Sequence, residues 1–155
     1  MATAPPQKID KRVRSFCKEI CGGLPVYLPV QVDPSAAPNC CFQNVKEKVE
    51  REGGEIVVGW AIWEWKYVIL EGEHHAIWRT TLGNLVDITP KPIPLTEILF
   101  LQDATATYDF SNFNPQRDNI RRAIRDTPEI LRLIKLREDL FRLIKDTPSN
   151  QPIDF

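Results

Sequence analysis

Residues 55–80 read EIVVGWAIWEW followed by KYVILEGEHHAIWRT, and they decide the class of fold. Both halves are rich in β-branched and aromatic residues, which is the composition typical of β-strands. A turn, TTLGN, and two shorter strand-like segments, LVDIT and EILFL, come next. The links between these segments are too short for the crossovers that parallel strands require. The sequence therefore predicts an antiparallel sheet of about four strands within residues 55–103.

Helical patterns precede the strands. Apolar residues at helical spacing predict a first helix that begins near Ile9 and ends at the glycine pair 22–23. Residues 24–38 contain four prolines and predict an extended loop. A second helix is expected to begin near Cys40, with Asn39 as its N-cap.

Helical patterns also follow the strands, from Pro115 onward. The clearest helix start has Thr127 as the cap and a proline in the first helical position. Helices, then strands, then helices is the order typical of an α+β fold. We expect one domain over residues 9–146, with flexible tails at residues 1–8 and 147–155.

The composition argues against several functional classes. A length of 155 residues with 43 % hydrophobic residues suits one domain with a substantial core. A net charge of −1 predicts no attraction to nucleic acid or to anionic membranes. No apolar run approaches the roughly 20 residues that span a bilayer, and the first residues lack the apolar core of a secretory signal. The expected location is cytoplasmic, where the four cysteines stay reduced.

Two of those cysteines are adjacent in NCCFQNV, residues 39–45. On a helix, Cys41 lies roughly 100° from Phe42, at the edge of the apolar stripe, whereas Cys40 lies roughly 160° away, beside Asn44 and toward solvent. The free N–H groups and the helix dipole of a first turn favour a thiolate and can bind an oxyanion. Cysteines in such positions more often only pack. Cys41 is nevertheless the candidate nucleophile, provided that a base and an orienting group accompany it.

Candidates for both partners lie in EGEHHAIW and LVDITP. His74 and His75 are the only histidines, and Asp87 follows in the next predicted strand. A cysteine at a helix N-terminus, then a histidine and an aspartate on neighbouring strands, is the order found in papain-like and transglutaminase-like enzymes. The thiolate attacks a carbonyl carbon, the imidazole transfers the proton, and the carboxylate orients the imidazole.

Strand geometry allows only one of the two histidines to share a face with Asp87. A three-residue loop, Leu82–Asn84, would select His75, and a loop one residue longer would select His74. Gly83 in a left-handed conformation suits the three-residue loop. We therefore predict a catalytic triad of Cys41, His75 and Asp87, with His74 packed on the deeper face of the sheet.

The blocks CFQNV, GGEIVVGWAIWEW, EGEHHAIW, LVDITP and EILFLQD, in this order, resemble an uncharacterised bacterial-type domain. That domain occurs in SEC-C motif-containing ("zinc chelation") proteins, and the similarity covers about residues 38–125. The positions that recur in the family pattern fall on Cys41, His75 and Asp87, and the position of His74 can be aromatic there. The resemblance therefore supports the triad and implies little about the substrate. The cysteine-rich tail of those proteins is missing here, so the resemblance implies no zinc site.

The triad order predicts a papain-like core in which the helix beginning near Cys40 packs on the sheet. It predicts a cysteine-dependent hydrolase or acyl transferase acting on an amide, isopeptide or thioester bond, without a cofactor or metal. Protease, amidase, deamidase and transglutaminase-like activities all fit, on a peptide, a protein or a small amide. The candidate oxyanion donors besides the Cys41 N–H group are Gln31, Asn39 and Asn44.

Three other interpretations remain open. Cys17 and Cys21 have the spacing that could begin a zinc site, although Cys17 also lies on the apolar stripe of its helix. The chain could instead be a non-catalytic interaction module with a degenerate papain-like fold, binding a partner through its long C-terminal helix. Hydrolysis by the carboxylate pair Glu71 and Glu73 is the weakest interpretation, because alternate acidic residues on a strand usually form a solvated face.

Overall fold

The computed structural model describes residues 3–146, which form three helices and six strands. The elements are, in chain order, α1 (Lys11–Cys21), β1 (Val26–Pro29), α2 (Cys41–Glu52), β2 (Glu55–Trp65), β3 (Ile69–Arg79), β4 (Leu85–Val86), β5 (Glu97–Gln102), β6 (Ile120–Ala123) and α3 (Pro128–Asp146). Helices and an antiparallel sheet in one chain confirm the predicted α+β class.

The sheet is organised around the long β2–β3 hairpin. The spatial order is β1-β5-β2-β3-β4, with β6 also beside β3, and every pair of these strands is antiparallel. The segments that follow β1 and β4 meet through a parallel bridge between Val30 and Asp87. There Gln31 N donates to Asp87 O at 2.9 Å, and Asp87 N donates to Pro29 O at 3.0 Å. Because the two ends of the strand order meet, the sheet is nearly closed.

Both faces of the central hairpin are covered. One face packs under α1 and α2, and its core side chains include Trp60, Ile62, Leu70 and Ala76. The other face is the inner one, and its core side chains include Val57, Ala61, Ile77 and Phe100. Strands buried on both sides carry nearly continuous apolar runs, which explains the composition of residues 55–80. Each fully buried large side chain contributes roughly 1.5–3 kcal/mol to folding.

Helix ends follow local chemistry. Asp10 accepts a hydrogen bond from Val13 N at 3.0 Å and caps α1, which ends at Gly22 in a left-handed conformation. Thr127 Oγ1 accepts from Ile130 N at 3.3 Å at the start of α3, as predicted. The predicted cap of α2 is wrong. Asn39 has a φ of 58°, and Cys40 occupies the cap position without a side-chain hydrogen bond.

Long-range pairing overturned three further expectations. The segment 24–38 is not all loop, since β1 lies within it and pairs with β5. Residues 115–126 were expected to be helical, but they contain β6, which extends the sheet along β3. The four strands expected within residues 55–103 are present as β2 to β5, but β1 and β6 extend the sheet to six strands, and only one helix follows it in the described chain.

The ends of the chain also differ from expectation where they are described. Within the predicted tail at residues 1–8, Ala4 exchanges hydrogen bonds with Glu64, and Pro6 O accepts one from the Tyr27 hydroxyl at 2.5 Å. The expected tail at 147–155 lies outside the described residues. Among the helices described, none has both the length and the apolar character needed to cross a bilayer.

Candidate active site

The turn between β3 and β4 sets which histidine meets Asp87. Thr80 N donates to Asn84 O at 2.8 Å, and Gly83 has a φ of 88°. The loop therefore has three residues and a left-handed glycine, as predicted. It begins one residue earlier than expected, at Thr81.

This displacement changes the partner of Asp87 without changing its face. Trp78 pairs with Val86, so the same register places Asp87 opposite Ile77 instead of Arg79. Ile77 and Arg79 lie two residues apart and point to the same side of the strand as His75. His75 Nε2 accordingly lies 3.1 Å from Asp87 Oδ2.

A gap along β3 opens this pair to the surface. β6 pairs with Ile69–Gly72 and β4 pairs with Trp78–Arg79, so among the described strands Glu73–Ile77 pairs only with β2. Cys41, the first residue of α2, and His75 line one cavity together with the residues that follow β4 and those that precede β6. The gap therefore lets a helix from the outer face reach an inner-face histidine.

His75 lies between a carboxylate and a thiol. Its side chain is only 2 % exposed. Burial alone would lower the pKa of His75, but the charge of Asp87, followed by the charge and hydrogen bonding of Cys41, outweighs burial and raises that pKa. Asp87 occupies Nε2, whereas Nδ1 lies 3.8 Å from Glu73 Oε1 and has no hydrogen-bond partner among the described residues. The raised pKa favours the imidazolium form of His75. Contacts in catalytic sites often tighten only when substrate binds.

Asp87 is held by three groups. Its side chain is 0 % exposed, its Oδ1 accepts from Thr89 N at 3.1 Å, and Lys91 Nζ lies 2.5 Å from the same Oδ2 that meets His75. Burial raises the pKa of Asp87, but the neighbouring charges of His75 and Lys91 outweigh it and lower that pKa. The sequence analysis missed Lys91. The only feature of the sequence that pointed to Lys91 was its position four residues after Asp87 in a proline-rich loop, and this spacing is not specific for an ion pair.

Asn44 connects α2 to the segment that follows β4. Its Oδ1 accepts from Ala37 N at 2.9 Å, and its Nδ2 donates to Ala37 O at 2.8 Å and to Thr89 Oγ1 at 3.1 Å. The helical wheel had placed Asn44 toward solvent, which is wrong because the loop before α2 and Thr89 cover it. With its amide engaged in this way, Asn44 is a poor oxyanion donor, whereas Asn39 lines the cavity.

His74 has a different environment from His75. His74 Nε2 lies 2.7 Å from Ala106 O, and its ring packs 4.7 Å from that of Phe42 and 5.3 Å from that of Trp60. Burial lowers the pKa of His74, which favours the neutral ring. The expected difference in depth between the two strand faces is wrong, because both histidines are buried.

The cavity beside Cys41 has a volume of about 750 Å³. That size suits a small molecule or a short peptide segment. One wall is the inner sheet face, with Trp63, Glu71, Glu73 and His75. The opposite wall is one side of α3, with Arg137, Leu140, Phe141 and Ile144.

The two cysteines of α1 lie elsewhere. Cys17 packs in the core with Val13 and Phe16, and burial, followed by the neighbouring Cys21, raises its pKa to about 12. Cys21 is exposed. Within residues 3–146, no group of three or more His, Cys, Asp or Glu side chains is arranged to hold a metal ion.

No protein-family model, no curated protein sequence and no solved structure matches this chain. The function therefore has to follow from the geometry of the site.

Proposed function

We propose that the protein is a cysteine-dependent hydrolase or acyl transferase with a papain-like arrangement of Cys41, His75 and Asp87. The observation that supports this most is the position of His75. The ring is buried, its Nε2 meets the Asp87 carboxylate, and the Cys41 thiol, which lines the same cavity, contributes to the raised pKa of the ring. A cysteine that only packs needs neither a charged histidine nor a buried carboxylate beyond it.

The reaction follows the roles of these three groups. The Cys41 thiolate attacks the carbonyl carbon of an amide or thioester, a C–S bond forms, and the carbonyl π electrons move to oxygen. The C–N or C–S bond of the substrate then breaks, and the His75 imidazolium gives its proton to the leaving amine or thiol. Water or an amine next attacks the acyl-enzyme, His75 takes its proton, and Cys41 leaves as the thiolate. Asp87 holds the ring orientation and its positive charge throughout.

The start of α2 supplies a place for the developing oxyanion. Cys41 is the first helical residue, and its backbone N–H group belongs to the set that has no partner inside the helix. Such groups point out of the helix N-terminus, where negative charge is favoured. The expected substrate is a peptide, a protein or a small amide.

Acylation of Cys41 tests the proposal directly. The full chain is mixed with p-nitrophenyl acetate at neutral pH, nitrophenolate release is followed, and the acetylated residue is located by mass spectrometry. We expect a burst of nitrophenolate and acetylation of Cys41, and we expect iodoacetamide to label Cys41 faster than the other cysteines.

Matched variants separate the triad from its neighbours. Cys41→Ala and His75→Ala should each abolish the burst, while Cys40→Ala and His74→Phe should keep most of it. Equal, slow labelling of all accessible cysteines, with no burst, would refute the enzyme.

A partner-binding module is the second candidate, and α3 supports it. The helix has no fully buried residue, and four of its leucines are exposed: Leu131, Leu136, Leu140 and Leu143. Exposed leucines on one helix suit a partner helix or groove. An inert Cys41 would favour this candidate.

A further inference from the structure

Glu71 and Glu73 share the inner sheet face with His75, but their surroundings differ. Glu71 is buried, and its Oε2 accepts from Arg121 Nε at 2.7 Å and lies 3.5 Å from Arg137 Nη1. Glu73 is 45 % exposed and lines the cavity. Within residues 3–146, it forms no ion pair with a lysine or arginine, and its one recorded basic neighbour is His75 Nδ1 at 3.8 Å.

The other charged groups of the cavity have partners. Arg121 lies between Glu71 and Asp118, Lys91 pairs with Asp87, and Arg137 points to Glu71. Arg117 donates to the backbone oxygens of Thr105 and Thr107. Glu73 is therefore the carboxylate of this wall that is left to attract a ligand. It faces Nδ1 of His75, whereas Asp87 meets Nε2.

The strand next to this carboxylate carries small residues on the inner face. The residue opposite Glu73 is Ala61, and the residue opposite His75 is Gly59. A Cβ at Gly59 would lie 2.1 Å from Leu101 O, so this position has to stay without a side chain. Trp63 Nε1, in the same wall, is a buried donor without a hydrogen-bond partner in the described chain. Buried donors without a partner are rare in folded proteins, so this one is consistent with a wall that contacts a polar ligand.

We propose that Glu73 binds a positively charged group of the substrate, an ammonium or a guanidinium, next to the carbonyl that Cys41 attacks. The inference rests on the proposed function and narrows its substrates to cationic amides and thioesters.

Charged thiol reagents of similar size test this inference. Each methanethiosulfonate forms a mixed disulfide with the Cys41 thiolate and releases methanesulfinate. The three reagents carry a trimethylammonioethyl, a sulfonatoethyl or a neutral methyl group. Rates are measured by intact mass on the full chain with Cys21→Ser and Cys40→Ala, which leave Cys41 as the accessible thiol.

We expect the cationic reagent to react roughly tenfold faster than the anionic one after correction for their intrinsic reactivities, as a partly screened charge a few ångströms away allows. Glu73→Gln should reduce this preference to about threefold or less. Glu73→Asp should keep most of it, because the charge remains. Glu50→Gln, which removes an exposed glutamate from α2, should leave it unchanged.

The outcomes separate this inference from the proposed function. A Cys41 that does not react even with the neutral reagent overturns the proposed function and the inference with it. A reactive Cys41 without charge preference overturns only the role of Glu73. If Glu73→Gln changes all three rates by the same factor, Glu73 acts on His75 and not on the ligand, and the inference is also wrong.

Discussion

Replacing Asp87 with asparagine removes the charge that stabilises two buried cations. The carboxylate lies 3.1 Å from His75 Nε2 and 2.5 Å from Lys91 Nζ, and its side chain is 0 % exposed. Asparagine preserves the shape and can still accept from Thr89 N. The Lys91 side chain is 7 % exposed and would be left without a counter-charge.

The magnitude follows from that loss. Removing one partner of a buried ion pair costs about 3–5 kcal/mol, because the other charge stays buried. The cavity beside Lys91 allows its ammonium to turn toward water, so we expect about 3 kcal/mol, a large part of the 5–15 kcal/mol typical of a domain. Without Asp87, the pKa of His75 should fall, and alkylation of Cys41 at neutral pH should slow by roughly tenfold or more. This loss should be smaller than those of Cys41→Ala and His75→Ala, since Asp87 does not touch the substrate.

Urea denaturation gives the free energy of unfolding, and NMR of the imidazole protons gives the pKa of His75. Asp33→Asn is the matched control, because Asp33 is a buried aspartate that pairs with Lys48 and Arg51 away from His75. It should destabilise the fold without moving the His75 titration. Asp87→Asn combined with Lys91→Met should recover part of the lost stability.

A cost of less than about 0.5 kcal/mol for Asp87→Asn, the range of ordinary surface substitutions, would refute this role of the carboxylate. The role is equally refuted if the His75 titration is the same in Asp87→Asn and in the unmodified chain. Either result would mean that the carboxylate does not hold the imidazolium.

Three further predictions concern the surroundings of the triad. The pKa of His75 is raised from 6.5 to about 10, so its contribution to stability is present below pH 6.5 and is lost as pH rises toward 10. The pKa of Asp87 is lowered from 3.8 to about 2, so its contribution is present above pH 3.8 and is lost as pH falls toward 2. Urea titrations from about pH 2 to about pH 10 should show a plateau with two falling limbs. Asn44→Ala should lower the free energy of unfolding in urea by about 1–3 kcal/mol, because it leaves Ala37 and Thr89 without their hydrogen-bond partner. It should also slow Cys41 alkylation, and an unchanged alkylation rate would show that Asn44 does not position α2. Gly59→Ala should destabilise the fold by about 3 kcal/mol or prevent folding, since its Cβ would meet Leu101 O, and wild-type thermal stability would contradict the β2–β5 packing.

Local sequence patterns were enough to predict the secondary-structure elements around the site. Runs of β-branched and aromatic residues predicted the β2–β3 hairpin, and Thr127 with the following proline predicted the start of α3. The choice of His75 over His74 depended on the length of one turn. The turn began one residue earlier than expected, and this moved the cross-strand partner of Asp87 by two residues. Because residues two apart on a strand lie on the same face, the face of Asp87 did not change. The side on which Asp87 would lie was therefore predictable, although its cross-strand partner was not.

The tertiary structure alone decided how the site is enclosed. Three features of the site join segments that are distant in sequence: the pairing of β1 with β5, the bridge from Val30 to Asp87, and the wall formed by α3. The contact of Lys91 with Asp87 depends on how these segments come together. Residues 115–126 have a helical pattern but contain β6, because the unpaired edge of β3 offers hydrogen bonds that the pattern does not record. Propensity and periodicity reflect neighbours within a turn or two of the chain. The free energy of pairing two distant segments depends on the surface that each segment buries. This buried surface is determined only when the whole sheet assembles.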